Sequence, residues 1–185
     1  MVSPTASTGG AYGAIIDPVV ADPDHREAEA VEALRTQTSL AGLLHTATRE
    51  FVDAVDGVAS AISRIVGDVL IQVAEHARDG RTLVLGHGYL ISDFPLTQVV
   101  LEQKAPTVCS LLNDDCDPAE ADLLRELQLD SLLMIPLPSG DVNWGLAEIY
   151  ANGRVFSDED VARAAPLAEA FGAQLATLPA PASRP

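Results

Sequence analysis

The stretch that most constrains the fold runs from Ser131 to Tyr150 and reads SLLMIPLPSGDVNWGLAEIY. Five of the six residues from Leu132 to Leu137 are apolar without alternation, which is typical of a central strand that is covered on both faces. A turn is predicted at Pro138 to Asp141, and a second strand follows from Trp144 to Tyr150. We therefore expect the chain to build its core around a buried hairpin.

Side chains of the second strand are expected to alternate between the two faces of the sheet. Those predicted on one face are Trp144, Leu146, Glu148 and Tyr150, and those predicted on the other are Gly145, Ala147 and Ile149. Glu148 and Tyr150 thus place polar atoms among apolar ones, and the covering elements must satisfy those atoms or leave a polar-lined hollow. Two interpretations of Glu148 stay open: a hydrogen-bonded glutamate, which is the commoner situation, or a ligand contact.

The charge of the chain disfavours several classes of partner. The 185 residues have a formal charge of −16, from 27 acidic and 11 basic side chains, and Lys104 is the single lysine. Such a surface repels phosphate backbones and anionic membranes, so neither nucleic acid nor a membrane is expected as a partner. The N-terminus has no signal-peptide pattern and no apolar run reaches the roughly 18 residues that span a bilayer, so we expect a cytoplasmic protein.

The length predicts one domain with short extensions. Residues 1–21 are rich in Gly, Ala, Ser, Thr and Pro and are expected to form a flexible N-terminal lead. Asp22 and Pro23, a cap followed by a first-turn proline, predict an N-terminal helix over residues 22–38. A globular domain is expected over residues 39–178, and a disordered tail over residues 179–185.

Caps and hydrophobic periodicity predict the elements within this domain. Two strands are expected on either side of Gly67 and Asp68, and a short helix should begin with a cap at Ser92 or Asp93 and a proline at Pro95. The remaining predicted elements are an amphipathic helix over Leu40–Val55 after a cap at Thr38 or Ser39, a third strand over Arg81–Leu85, a short strand at Thr107–Leu112 and a helix after Asp117 and Pro118.

The last helix carries a seam of apolar side chains spaced alternately by three and four residues. The seam consists of Val161, Ala164, Ala168, Phe171, Leu175 and Leu178, and Ser157 and Asp160 precede it as a predicted capping box. Because so narrow a seam suits packing against a like helix, we predict a homodimer through the Val161–Leu178 and Leu40–Val55 helices. The alternative is that both helices cover the sheet of a monomer, which Pro166 favours because it bends the helix.

Few residues point to a specific chemistry. The sequence has no motif of phosphate-binding loops, zinc proteases or serine hydrolases. His87 lies between two glycines, where a backbone can approach a ligand closely, although a surface turn is the commoner place for such a residue. Cys109 and Cys116 are expected to be reduced thiols, and they lack the compact spacing of a zinc site, so no metal is predicted.

Several strings, in this order along the chain, resemble the GAF domain family, the small-molecule sensor module of signalling proteins. They are LGHGYLISDFP, SLLMIPL, WGLAEIY and VFSDEDVARAAPLAEAFGAQLA. The resemblance covers about Ser39 to Thr177 and is greatest to GAF domains that stand beside diguanylate cyclase or phosphodiesterase domains in bacterial signalling. It implies an α+β fold with a central, mainly antiparallel sheet of five or six strands and helices on both faces.

The resemblance also implies a function: a non-enzymatic sensory or regulatory module that binds an unknown small molecule, mediates dimerisation, or does both. Family members hold their ligands under the short helices. The residues predicted to surround such a ligand are His87, Tyr89, Asp93, Cys109 and Glu148. No cofactor is identified, because haem and bilin attachment motifs are not recognisable around His87 or either cysteine.

Two more specific activities of the family are considered. Asn152, Phe156 and the acidic run Asp158 to Asp160 resemble the signature of members that bind cyclic nucleotides, but Gly153 and Arg154 stand where that signature has a lysine. A few enzymatic members reduce free methionine sulfoxide with cysteines. The alternative function is therefore a thiol-dependent reductase of a small oxidised substrate, acting through Cys109 and Cys116.

Overall fold

A computed structural model describes residues 23–83, 86–113 and 115–179. The predicted flexible lead, and the predicted tail apart from its first residue, lie outside these ranges. The described residues contain five α-helices, six strands and a 3-10 helix at Ile91–Asp93. In chain order the helices and strands are α1 (Pro23–Arg35), α2 (Leu40–Ala54), β1 (Ala59–Val66), β2 (Val69–Ala77), β3 (Gly88–Leu90), α3 (Pro95–Gln103), β4 (Thr107–Ser110), α4 (Pro118–Leu127), β5 (Ser131–Ser139), β6 (Val142–Ala151) and α5 (Asp158–Thr177).

The six strands form one antiparallel sheet in the order β3-β2-β1-β6-β5-β4. Helices α1, α2 and α5 pack on one face, where Leu34, Phe51 and Phe171 meet strand residues such as Ile149 in a helical-layer core. Helices α3 and α4 cover the other face and contribute Val100 and Leu124 to a second cluster, the short-helix core. The predicted α+β fold, with the two long helices opposite the short ones, is confirmed.

The predicted hairpin is the centre of this sheet. Strands β5 and β6 pair along their whole length, from Ser131 opposite Ala151 to Ser139 opposite Val142. Gly140 has a φ of 60° in the tight turn between them, a conformation that glycine adopts without steric cost. Every residue of β5 from Ser131 to Leu137 is buried, as the absence of alternation predicted. Because β6 also pairs with β1, the hairpin lies in the interior of the sheet.

Trp144 lies on the opposite face from the one that strict alternation predicted. The register shifts near the turn, so that Leu137 pairs with Gly145 but Pro138 pairs with Asn143, and Trp144 is the extra residue of a bulge. One extra residue reverses the side-chain alternation beyond it. The Trp144 ring therefore packs in the helical-layer core, 5.5 Å from the ring of Phe171, whereas Leu146 and Tyr150 lie in the short-helix core as expected.

The third strand also differs from the prediction over Arg81–Leu85. Residues 81–83 of that stretch are described and belong to no strand, and the third strand is instead β3, where Leu90 pairs with Val69 of β2. The Leu83 backbone N–H donates to the Glu75 side chain rather than to a carbonyl of a neighbouring strand. Within residues 81–83, the apolar side chain of Leu83 is buried in the short-helix core without belonging to a strand, and the last two residues of the predicted strand lie outside the described ranges.

Helix α5 begins with the predicted capping box. The Ser157 hydroxyl accepts from the Asp160 backbone N–H, and the Asp160 carboxylate accepts from the Ser157 N–H. The same carboxylate pairs with Arg154 and Arg163, although it is only 1% exposed. These bonds satisfy a buried charge and hold the first turn of the helix in place.

The apolar seam of α5 is used within the chain. Ala164, Ala168 and Phe171 are buried in the helical-layer core, and Val161, Leu175 and Leu178 pack against it. The seam is therefore not free to form the dimer interface for which it was predicted, because the sheet and helices α1 and α2 already cover it. The homodimer itself stays a prediction. Within the described ranges, no helix has both the length and the apolar composition needed to cross a membrane.

Candidate functional site

A cluster of polar side chains lies inside the short-helix face of the sheet. Glu148, in the middle of β6, is 3% exposed. Its Oε1 accepts from the hydroxyls of Tyr89, at 3.3 Å, and Tyr150, at 3.5 Å, and its Oε2 accepts from the Ser63 hydroxyl at 3.3 Å. We call these four residues the buried polar cluster. All three distances are long for O–H···O bonds, so the carboxyl group is loosely held.

Four residues of three strands converge there because of the sheet order. Glu148 pairs with Met134 of β5 on one side and Ala61 of β1 on the other, which fixes it in the interior of the sheet. Ser63 lies two residues along β1 from Ala61, next to a register shift between Ile62 and Ser63. Tyr89 reaches the cluster from β3 at the edge of the sheet, and its ring makes an edge-on contact with Phe94 at 4.7 Å.

Burial determines the protonation of the cluster. Removal from water raises the pKa of Glu148 to about 7, against the hydrogen bonds from Tyr89, Ser63 and Tyr150, which lower it. Burial also raises the pKa values of Tyr89 and Tyr150 well above the usual range, and the neighbouring Glu148 charge adds to this shift. The cluster can therefore gain or lose one proton near neutral pH, at Glu148.

A second buried carboxyl group joins the two short helices. Glu120 of α4 accepts at Oε1 from the Thr97 backbone N–H, at 2.9 Å, and from the Thr97 hydroxyl, at 3.1 Å. Asp117, the cap of α4, accepts at Oδ2 from the Leu96 N–H, also at 2.9 Å. We call Asp117, Glu120, Leu96 and Thr97 the α3–α4 clamp. It satisfies the N–H groups of the first turn of α3 from outside that helix.

The clamp corrects the predicted cap of α3. Phe94 is the residue at the N-cap position and makes no side-chain capping bond, and Ser92 and Asp93 are exposed, with Asp93 ending the 3-10 helix. Burial, together with the neighbouring Asp117 carboxyl group, raises the pKa of Glu120 to about 7. Oε2 of Glu120 is buried without a hydrogen-bond partner among the described residues, which favours the protonated carboxyl group over the charged one.

Both cysteines lie near this region as free thiols. Cys109, in β4, is fully buried in the short-helix core, and Cys116, just before the cap of α4, is half-buried and packs against the same core. Burial raises the pKa values of both thiols, and the carboxylates of Asp115 and Glu120 also raise them. Neither thiol therefore has the electropositive surroundings of a reactive cysteine.

The structure brings together only part of the predicted site. Tyr89 and Glu148 are in contact, and Cys109 shares the short-helix core with Tyr150. His87 and Asp93 are exposed and make no bond to the cluster among those described. Whether these residues bind a ligand stays a prediction. No group of three or more histidine, cysteine, aspartate or glutamate side chains in the described part of the chain could hold a metal ion.

Sequence reasoning missed Ser63 and Glu120 as site residues. Ser63 is two residues from both Ala61 and Ile65 on β1, so the sequence predicts that it shares a face with them. Small polar residues in a strand are nevertheless too common to mark a site. Glu120 follows the helix cap Asp117 by three residues, which is the spacing of a capping box. That spacing predicts a bond within α4, whereas the structure directs the carboxyl group to α3.

Two surface clefts lie away from the polar cluster. The larger, of about 730 Å³, runs between α1, α2 and α5, and the smaller, of about 410 Å³, lies beside the hairpin turn. In the larger cleft Arg78 pairs with Asp53 and Asp56, and Arg163 with Asp160. These ion pairs offset part of the charge in the larger cleft, and the converging buried polar groups are found at the cluster around Glu148.

Comparison with known proteins agrees with this architecture. A family model described as the GAF domain matches residues 17–177. The chromophore-binding domain of a wild-type Stigmatella aurantiaca phytochrome superposes with a TM-score of 0.72 at 15% identity, covering 90% of this chain and 63% of that one. That of an unusual bacteriophytochrome from R. palustris gives 0.73 at 14% identity, covering 84% and 60%.

The photosensory core module of the Stigmatella aurantiaca phytochrome is also similar, with a TM-score of 0.71 at 15% identity; it covers 83% of this chain and 36% of that one. The chain thus spans less than two thirds of each of these structures. Identities this low show a shared fold only. No curated protein sequence matches the chain.

Proposed function

Because the chain belongs to the GAF domain family, we propose that it is a non-enzymatic sensory module that binds a small molecule at the buried polar cluster. Similarity in fold to chromophore-binding domains supports a small-molecule ligand as a class, although not a chromophore in particular. A place in bacterial signal transduction and in the cytoplasm belongs to the same proposal. Its acidic surface, with a formal charge of −16, disfavours nucleic acid as the partner.

The observation that carries the proposal is the loosely held, buried carboxyl group of Glu148. Buried polar groups in a stable core normally have short, well-directed hydrogen bonds, since an unsatisfied one is costly. Here the closest donor oxygens, those of Tyr89 and Ser63, are 3.3 Å away. A ligand with a suitable donor would compensate for the burial of this group better than its protein partners do.

The same geometry indicates the class of ligand. Glu148 and Glu120 are both buried, and each becomes negatively charged as the pH rises through about 7. An anionic ligand such as a cyclic nucleotide would be repelled by these two carboxylates, and neither the buried polar cluster nor the α3–α4 clamp contains a lysine that would offset the repulsion. We propose a neutral or cationic molecule whose N–H groups donate to Glu148, with Tyr89 and Tyr150 beside it.

Native mass spectrometry of the protein purified from its own host tests the proposal. We expect a bound small molecule that is retained by a Glu126→Gln variant, in which an exposed α4 carboxylate is changed, and lost from a Glu148→Gln variant. The amide keeps the size of the carboxyl group but cannot become an acceptor with two charged oxygens. An equal occupancy in both variants would place the ligand elsewhere, and a bound anion would refute the ligand class.

The proposed site also includes His87, Asp93 and Cys109, which we expect to contribute less to ligand binding than Glu148 does. The two exposed residues would contact a ligand only at the rim of the site, whereas Cys109 would form part of its apolar wall. Replacing His87 by alanine should therefore change ligand retention much less than Glu148→Gln does. If the alanine variant lost the ligand as completely as Glu148→Gln does, the centre of the site would lie nearer to β3 than to Glu148.

The alternative function, a thiol-dependent reductase of a small oxidised substrate, is favoured by one observation: two reduced thiols lie beside the same core. Against it, burial and nearby carboxylates raise the pKa values of both thiols, which lowers the fraction of each that is present as the nucleophilic thiolate. Incubation with free methionine sulfoxide and a reductant separates the two functions. Steady formation of methionine would establish the enzyme.

We also propose a homodimer, on the frequency of two-fold assemblies. Because Phe171 and its neighbours in the seam are buried, a dimer would have to use the outward faces of α5 and α2. Light scattering at high micromolar concentration measures the mass directly. A monomer mass would leave the helices with the single role of covering the sheet.

A further inference from the structure

The loop between β4 and α4 brings the two cysteines together. Six residues separate Cys109 from Cys116. The residue after the first cysteine, Ser110, donates its backbone N–H to the Asp115 carboxylate, the residue before the second cysteine. The Ser110 hydroxyl also accepts from the Leu112 N–H at 3.1 Å. The chain on the two sides of the loop is thus tied together immediately next to both thiols.

The two thiols lie in the same cluster. Both side chains pack in the short-helix core, and the proximity of Cys116 adds to the burial that raises the pKa of the Cys109 thiol. Cys109 is fully buried, whereas Cys116 is half-buried and can be reached from solvent. Two thiols that pack in one cluster, with the chain tied together beside both and one of them accessible, have the arrangement that favours a disulfide.

We propose that Cys109 and Cys116 form a reversible intrachain disulfide, a redox-modification site that fixes the loop leading into α4. The oxidant is a peroxide or a small-molecule disulfide. With hydrogen peroxide, the Cys116 thiolate attacks one oxygen, the O–O bond breaks, and a sulfenic acid and water result once protons are transferred. The Cys109 sulfur then attacks that of Cys116, its proton and the hydroxyl group leave as a second water, and the S–S bond forms.

With a small-molecule disulfide, the Cys116 thiolate first displaces one small thiol and forms a mixed disulfide. Cys109 then displaces the second small thiol, so the oxidant gains the two electrons and two protons that the cysteines lose. Cys116 reacts first in both routes because it is the accessible thiol. A slow first step follows from the burial and the carboxylates that raise the pKa of this thiol.

The disulfide would act on the α3–α4 clamp. Cys116 directly precedes Asp117, which caps α4 and accepts from the Leu96 N–H of α3. Oxidation therefore anchors one end of the clamp to β4 of the sheet and restricts the two helices that cover the buried polar cluster. This inference is independent of which ligand, if any, occupies the cluster.

The test treats the full chain with oxidised glutathione or hydrogen peroxide and follows it by thiol titration and intact mass. We expect both thiols to disappear together, a chain two hydrogen atoms lighter, a peptide cross-link between Cys109 and Cys116, and full recovery with dithiothreitol. Stable glutathione on Cys116 with Cys109 still free would overturn the proposal. So would a cross-link between two chains, or a Cys116 oxidised to sulfinic acid.

A variant of the loop tests the geometry without touching either thiol. Asp115→Ala removes the bond to the Ser110 N–H and should lower the equilibrium constant for the disulfide about five-fold in a glutathione buffer, the effect of one hydrogen bond. Asp115→Asn is the matched control, because the amide oxygen can still accept from the Ser110 N–H while the charge that raises the pKa values of both thiols is lost. Equal constants for Asp115→Ala and Asp115→Asn would show that the tie does not hold the thiols together.

Discussion

Replacing Glu148 by glutamine should change how stability depends on pH. The carboxyl group is buried, and its pKa rises from 4.5 to about 7 on folding. Between these pH values the native state holds a proton that the unfolded state releases, so the free energy of unfolding falls as the pH rises. Below about pH 4.5 the stabilisation is fully present, and above about pH 7 it is lost. Glutamine, which does not titrate, removes this dependence.

The expected size follows from the same two pKa values. At about 1.4 kcal/mol per pH unit, a rise from 4.5 to about 7 corresponds to about 3 kcal/mol. We therefore expect the free energy of unfolding of the unmutated protein, minus that of Glu148→Gln, to fall by about 3 kcal/mol between about pH 4.5 and pH 7. A constant offset from the altered hydrogen bonds to Tyr89 and Ser63 does not affect this change.

Urea unfolding of both proteins at closely spaced pH values measures the difference. Repulsion within a chain of charge −16 and the titration of Glu120 occur in both proteins and largely cancel in the subtraction. Glu126→Gln, at an exposed site, is the control for replacing a carboxyl group by an amide. The reasoning is refuted if the difference for Glu148→Gln does not change with pH, since the native carboxyl group would then titrate as it does in the unfolded chain.

Three further predictions concern the packing and the helix cap. Phe171→Asp should destabilise the fold by at least about 3–5 kcal/mol rather than dissociate a dimer, whereas Ala173→Asp, exposed on the same helix, should stay within about 0.5 kcal/mol. Circular dichroism melting curves decide this, and a well-folded Phe171→Asp protein would contradict it. Gly145→Ala should cost about 1–3 kcal/mol because a Cβ there would lie 2.2 Å from the Ser63 carbonyl oxygen, and an unchanged melting temperature would count against that contact. Ion pairs and hydrogen bonds outweigh burial and hold the pKa of Asp160 at about 2 in the folded protein, below the usual 3.8. The free energy of unfolding of the unmutated protein should therefore exceed that of Asp160→Asn by an amount that is fully present above about pH 3.8. Acid titration of both proteins should show this difference shrinking by about 2 kcal/mol as the pH falls to about 2.

Local signals predicted much of the fold. Ser39 and Ser157 cap their helices as expected, and Gly67 separates β1 from β2, because caps and tight turns depend on residues close together in the chain. The buried hairpin around Gly140 was also predictable, since an unbroken apolar run needs cover on both faces. These features require no knowledge of what packs against them.

Features that depend on distant residues were not predictable. The face of Trp144 depends on one extra residue near the hairpin turn, and alternation alone gives no sign of such a bulge. The first turn of α3 takes its acceptors from Asp117 and Glu120, which follow it by about twenty residues, so no nearby cap could be correct. The predicted apolar seam of α5 is present in the structure, but the spacing of its residues does not show whether the seam packs against a second chain or against the sheet of the same chain.

The order of the strands has a consequence for behaviour at high concentration. The four long strands lie inside the sheet, and its two borders are β3, of three residues, and β4, of four. Unpaired backbone N–H and C=O groups on a border strand are a template on which another chain can add a strand and begin a fibril. Borders this short present few such groups, and the Ser110 N–H on β4 is already occupied by Asp115. Concentrated solutions of the folded protein should therefore resist growth of cross-β fibrils, and any association should proceed through side chains.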